Sequence, residues 1–183
     1  STHQSEELIC GIVHNNLKKR IKNLLTIIIP RHINRVKDIA KELQSLGLKI
    51  VIRTSKKKIK LDTDIYLVDT YGETKKFFNI SKTTFIGGSL ANHGGQNPIE
   101  PARYGLNIIH GPHVRNFKDI FKFFANKKIS HRIKNPNQLF EVAQKLLTKN
   151  NKLRLNLKKI GDSILKESVV EIKNILRHEI KKT

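Results

Sequence analysis

The chain has 183 residues, with 36 Lys and Arg against 15 Asp and Glu, a formal net charge of +21. Its 38% hydrophobic content can fill one core, while the longest apolar run, near Leu24–Ile29, is far short of the ~20 residues a spanning helix needs. A single cysteine, Cys10, excludes an intramolecular disulfide and any multi-cysteine metal site and fits a reducing compartment, and the polar, acidic Ser1–Glu7 does not read as a signal peptide. The lack of any methionine, an initiator included, is read as a chain trimmed or cut from something longer.

The charge makes nucleic acid or an anionic membrane the first suspects. However, 27 lysines stand against 9 arginines, and Lys, Ile and Asn together supply 68 residues. That bias resembles drift toward AT-rich codons, which would make part of the surplus solvated surface.

Helix and strand patterns alternate along the chain. Residues 6–22 carry helical apolar spacing at Ile9, Val13, Leu17 and Ile21, with Glu6 and Glu7 in the first turn, where the dipole favours them. Leu24–Ile29 reads as a buried strand stopped at Pro30. Ile33, Val36, Ile39, Ala40, Leu43 and Leu46 then form one helix face, ended by Gly47, and Leu48–Arg53 is a second strand. The Lys56–Lys60 run reads as an exposed turn or edge. Ile65–Val68 is a third strand, followed by a short helix from Glu73. Thr83–Ile86 is a fourth, a helix starts near Asn97-Pro98, and Asn107–His110 is a fifth. A helix near Phe117–Ala125, a sixth strand at Lys128–Ser130 and a helix with Leu139, Val142, Ala143, Leu146 and Leu147 complete residues 1–149. From 150 to 183 runs an amphipathic stretch with Leu157, Ile160, Ile164, Ile172, Leu176 and Ile180 on one stripe. It would pack on the domain or toward a missing one, or touch an anionic membrane. Strands alternating with helices imply an α/β, Rossmann-like parallel sheet with helices on both faces.

In such a sheet ligands bind beyond the carboxyl ends of the strands. Four segments fall there: Pro30-Arg31-His32, Asp69–Glu73, Gly87-Gly88-Ser89 and Gly94–Glu100. They are the least lysine-rich parts of the chain. Gly94–Asn97 could present backbone N–H groups to a phosphate, or could be a plain loop with a cap at Asn97. Glu100 could accept from two ribose hydroxyls, or be an ordinary first-turn glutamate. Arg31 could meet a phosphate or a base edge, or be a surface arginine. His32 reads as helix entry, and His93, His110 and His113 lack metal-site spacing. No Walker lysine motif, dinucleotide fingerprint or triad spacing is present, so a mononucleotide is suggested.

In order, Ser1-Thr2-His3 with Glu6-Glu7, Pro30-Arg31-His32, Asp69–Glu73, Phe85–Ser89, Gly94–Ala102 and Gly111-Pro112-His113 with Asn116-Phe117 resemble the C-terminal domain of the 3-deoxy-D-manno-octulosonic acid (Kdo) transferases, over residues 1–147. The resemblance implies the donor-binding half of an inverting, two-Rossmann-domain (GT-B) glycosyltransferase. The whole enzyme would move Kdo from CMP-Kdo to the lipid A precursor of lipopolysaccharide. Carried over by position, Pro30, Arg31, Tyr71, Gly72, Glu73, Asn97, Pro98, Ile99 and Glu100 would bind CMP, with Gly87, Gly88, Ser89, Gly94 and Gly95 in supporting loops. Ser5 stands where the family usually has glycine, and Tyr71 where it more often has Met or another apolar residue. In the family the general base and the acceptor surface belong to an N-terminal domain. No catalytic residue, metal or cofactor is therefore expected of this half, and little activity of it alone. The expected setting is the cytoplasmic face of the bacterial inner membrane, with CMP-Kdo, the lipid acceptor and an anionic surface as partners and no nucleic acid. The competing readings are a basic nucleic-acid-binding protein and a GT-B enzyme or epimerase using a UDP-sugar.

Overall fold

A computed structural model describes residues 1–148. The domain boundary expected at 149/150 and the amphipathic stretch of 150–183 lie outside the described residues. Six helices, α1 (Glu6–Lys18), α2 (Val36–Ser45), α3 (Thr74–Ile80), α4 (Ile99–Arg103), α5 (Lys118–Asn126) and α6 (Pro136–Thr148), alternate with six strands. The strands are β1 (Thr26–Ile28), β2 (Ile50–Ile52), β3 (Ile65–Leu67), β4 (Thr83–Ile86), β5 (Asn107–His110) and β6 (Ser130–Arg132). All strand pairs are parallel, in the orders β1-β3-β2 and β4-β5-β6.

The alternation of strand side chains explains the layers. On β3, Ile65 and Leu67 face α2, joining Ile28, Val36, Ile39, Ala40, Leu43 and Leu48 in one core cluster. Tyr66 points the other way, to Val51, Val68 and Phe77 of α3. On β5, Ile109 packs under α1 and α6 with Val13, Leu17, Leu139, Ala143 and Leu146. Its neighbour Ile108 meets Ala102 of α4 and Phe121 and Phe124 of α5. Helices therefore cover both faces, as a Rossmann-like α/β domain requires.

There is one departure from the single sheet implied by the periodicity: the strands form two three-stranded halves, and the Ser1-Thr2 segment enters just past the end of β1. The Thr2 amide donates to the Ile29 carbonyl at 2.9 Å, and the Arg31 amide donates to the Thr2 carbonyl at 2.9 Å. On its other side the segment lies against Gly87, where an added Cβ would stand 1.6 Å from the Ser1 carbonyl oxygen. Below this wedge, β1 and β4 face each other across an apolar cleft of about 460 Å³ lined by Val13, Leu17, Ile27, Phe77, Phe85 and Leu139.

Several boundaries also move. The first helix stops at Lys18 rather than Lys22, where the Arg20 and Ile21 amides both turn back to the Leu17 carbonyl. The Asn97-Pro98 helix is only the five residues of α4, and β6 begins at Ser130 because Lys128 takes a left-handed turn (φ +57°) ahead of it.

Candidate functional site

Every expected loop sits at a strand's carboxyl end, and a buried carboxylate organises the group. Glu6, at the start of α1 and fully buried, accepts the Gly88 amide at 2.7 Å with Oε2 and the Leu90 and Ala91 amides at 3.1 Å with Oε1. Oε2 also takes the His3 amide at 2.9 Å. Four hydrogen bonds saturate this carboxylate and compensate its burial. Beside it the buried Glu7 is gripped by both terminal nitrogens of Arg35 at 3.3 Å, which ties α1 to the turn entering α2.

Around Glu6, three imidazoles gather from three loops. His3 stacks on His93 with centroids 4.1 Å apart and meets His32 edge-on at 6.2 Å. Its Nε2 lies 3.2 Å from the Gln96 side-chain nitrogen. Burial, and then the neighbouring His93, lower the His3 pKa, so the ring is neutral at physiological pH. Arg31 extends from the same corner, exposed, with no side-chain partner among the described residues. Its backbone is fixed by Thr2 and by the buried Pro30 before it.

The β3 loop carries Tyr71, 69% exposed, and Gly72 in a left-handed conformation (φ +78°). Glu73 behaves differently from a free ligand. Its carboxylate is held by Arg53 Nε at 2.6 Å and Nη2 at 2.7 Å, by the Thr70 hydroxyl and by Lys76 at 3.0 Å. The Arg53 bonds, then Thr70 and Lys76, hold its pKa well below the usual carboxylate range. Its side chain thus braces the loop against β2, while the exposed Tyr71 and Gly72 form the loop's outer surface.

In the β4 loop Gly94 and Gly95 are buried, and the Gly95 and Gln96 amides donate inward to the Gly88 and Gly87 carbonyls at 2.9 and 3.1 Å. Those two donors fold the loop on itself, which favours the supporting role over the phosphate cradle for this pair of amides. Both glycines are left-handed (φ +81° and +74°), and the Asn116 side chain fills the space beside Gly94. Ser89 is also structural, its hydroxyl donating to the Ile86 carbonyl and accepting the Gly111 amide at 2.8 Å. The exposed part begins at Asn97, whose Oδ1 accepts the Ile99 amide at 2.9 Å in a turn that opens α4. Pro98 is buried beneath it and Ile99 is exposed. Glu100 is partly exposed, and among the described residues its side chain is paired only with Lys75 of α3, at 3.6 Å, so its oxygens remain open to a ligand. That contact also joins the β3 and β4 loops.

The rim thus combines an exposed arginine, a group of three imidazoles, an exposed tyrosine and a partly exposed carboxylate over buried supports. Sequence reasoning missed Glu6 as the clamp, His3 as the ring that joins the loops, and Arg53 as the partner of Glu73. Among the described residues no cluster of three His, Cys, Asp or Glu side chains could hold a metal.

No protein-family model matches the chain. The 3-deoxy-D-manno-octulosonic acid transferase of Rickettsia typhi is 36% identical over 155 residues, 85% of this chain and 33% of that protein. The enzyme of the same name from Haemophilus influenzae is 30% identical over 176 residues, 96% of this chain and 41% of that one. Among solved structures, the C-terminal CMP-Kdo binding domain of WaaA from Acinetobacter baumannii superposes with a TM-score of 0.80. That match is at 26% identity and covers 90% of this chain and 86% of that domain. The chain belongs to the Kdo transferase family. It corresponds to the C-terminal domain, and spans about a third to two fifths of the length of the curated Kdo transferases it matches. Ser5 is left-handed (φ +73°), a conformation that costs an L-residue free energy that glycine is spared, which agrees with the glycine that the family resemblance leads one to expect there.

Proposed function

We propose that the chain is the donor-binding half of a Kdo transferase and that its rim binds CMP-Kdo. The observation that carries this reading is that Arg31 and Glu100, which follow the carboxyl ends of β1 and β4, keep their charged groups accessible while Glu6, Glu73 and Ser89 are held in internal hydrogen bonds. Glu100 would accept hydrogen bonds from the two ribose hydroxyls, as an ionised carboxylate can. Arg31 would pair with the phosphate, Tyr71-Gly72 and Asn97–Ile99 would border the cytosine and ribose, and Pro30 and Glu73 would fix the loops. The similarity to a CMP-Kdo binding domain supports the choice of base and sugar.

In the reaction proposed for the whole enzyme, a hydroxyl of the lipid A precursor attacks the anomeric carbon of Kdo in line. The bond from that carbon to the phosphate oxygen breaks and CMP leaves with the electron pair. The hydroxyl proton goes to a carboxylate base that family resemblance puts in an N-terminal domain. This half would supply stabilisation of the departing phosphate by preorganised positive charge, chiefly Arg31, and would use no cofactor. The setting proposed is the cytoplasmic face of the bacterial inner membrane.

Isothermal titration of the whole chain with CMP, UMP and a short oligonucleotide tests the reading. A preference for CMP that survives added salt is expected. Tight, steeply salt-dependent oligonucleotide binding with no response to CMP would overturn it, because phosphate-backbone binding weakens sharply with salt.

A further inference from the structure

The connection from β2 to β3 carries the inference furthest. After a single 3-10 turn at Arg53–Ser55 it returns along the outer edge of β2 as an extended loop, and every residue from Lys56 to Asp62 is exposed. Lys56 turns the chain outward in a left-handed conformation (φ +56°). The far end is closed by a tight turn. The Thr63 amide donates to the Lys60 carbonyl at 3.0 Å, and the Lys60 amide donates to the Thr63 hydroxyl at 2.9 Å. Asp62 is neutralised by Lys49, Nζ to Oδ2 at 2.7 Å. The loop therefore presents Lys56, Lys57, Lys58 and Lys60 with their charge uncompensated by its only acid.

Lysines beside an edge strand deter pairing with another sheet, and that would explain the charge alone. It does not explain two aliphatic side chains interleaved with them. Leu61, at the tip of the closing turn, is 92% exposed and Ile59 is 48% exposed. A nucleic acid would have use for the charge, but the loop offers no aromatic ring for stacking and gains nothing from an exposed leucine. An anionic bilayer satisfies both features: the lysines meet headgroups while the leucine and isoleucine enter the acyl boundary.

We propose that the Lys56–Leu61 loop docks the domain on an anionic phospholipid surface, with Leu61 as the inserting residue. The inference deepens the proposed membrane setting and rests on it, but is independent of the nucleotide. The tip, Lys60–Thr63, lies beside Lys49 at the amino ends of β2 and β3, the end of the strands opposite the site loops. Each lysine near such a surface strengthens partitioning roughly fivefold.

The sequence contains no tryptophan, so Leu61→Trp in the whole chain is a reporter specific to the tip. Its emission should shift to the blue with phosphatidylglycerol vesicles and be quenched by brominated acyl chains. It should not respond to phosphatidylcholine vesicles, and salt should reverse the shift. Adding Lys57→Glu and Lys58→Glu should weaken the vesicle titration at least tenfold while the far-ultraviolet circular dichroism is unchanged. Co-sedimentation with anionic vesicles and no change in emission would overturn the proposal, since another surface then makes the contact. A shift with an oligonucleotide but not with vesicles would overturn it in favour of nucleic acid. CMP titration of the same variant separates the two readings. CMP binding without a vesicle shift removes only the loop, and a vesicle shift without CMP binding removes only the donor site.

Discussion

Gly88 and Glu6 are joined by a 2.7 Å hydrogen bond from backbone amide to carboxylate, across 82 residues of chain. The bond holds the β4 loop against the start of α1, and three more amides share the same two oxygens. Glu6→Gln keeps one acceptor oxygen but turns an N–H₂ donor toward amides that also donate. It should lower stability by about 1–3 kcal/mol. Urea denaturation checks this through the transition midpoint, and an unchanged midpoint would show that the clamp contributes nothing.

Gly87→Ala should be more damaging. The new Cβ would fall 1.6 Å from the Ser1 carbonyl oxygen, and a main-chain atom cannot step aside as a flexible side chain does. Displacing Ser1-Thr2 also breaks the two hydrogen bonds to β1, so a loss of about 3 kcal/mol is expected. Hydrogen exchange at the Arg31 amide should accelerate in step. A protected Arg31 amide in the variant would refute the wedge.

Ser5→Gly should act in the opposite direction. Ser5 adopts φ +73° and makes no side-chain cap bond, so glycine relieves strain without removing a contact. A gain of about 0.5–1 kcal/mol is expected, visible as a higher melting temperature. A lower melting temperature would mean that the serine hydroxyl has a role outside the cap.

Glu100→Ala should weaken CMP binding about 10- to 100-fold, the loss of two hydrogen bonds to a charged acceptor, with stability nearly unchanged because the side chain is partly exposed. Titration calorimetry measures it directly. Unaltered affinity would take Glu100 out of the site.

Acid should destabilise the fold through its buried imidazoles. His14 is pressed between the Thr26 hydroxyl at 2.8 Å and Asp64 at 3.2 Å, and burial lowers its pKa despite the acid. His110 is lowered by burial too, with Nδ1 at 2.8 Å from the Gly111 carbonyl. The unfolded chain binds protons near pH 6.5, where these rings stay neutral. Their stabilisation is complete above about pH 6.5 and is lost as the pH falls toward the lowered folded values. Denaturation midpoints should fall from pH 7.5 to 5.5. Nuclear magnetic resonance should find the His110 ring titrating below the unfolded value, and a ring half-protonated at 6.5 or above would contradict this.

The fold was legible where local patterns decide it. β4 and β5 match their expected ranges, since runs such as Thr83–Ile86 and Asn107–His110 are bounded by clear turns. The positions of the loops followed from topology. What could not be read was pairing over long separations: Glu6 looked like a glutamate serving a helix dipole, and nothing in its neighbourhood announces Gly88, Leu90 and Ala91. The commitment of Glu73 to Arg53, 20 residues apart, is equally unannounced by its neighbourhood. The glycine pair Gly94-Gly95 left two readings open for a related reason, because a left-handed backbone beside an anion site and one folded into a buried turn demand the same residue.

The Glu6 clamp also dictates an order of events during synthesis. When α1 leaves the ribosome, three of the four amides that satisfy its first carboxylate have not been made; Ala91, the last of them, lies 85 residues downstream. Until then a charge destined for burial must stay hydrated, and the first turn of α1 has no reason to dock. Closing so long a loop is slow relative to local structure. The β1-β3-β2 half can therefore assemble while the chain's first residues wait, and their insertion beside β1 becomes a closing step rather than a nucleus.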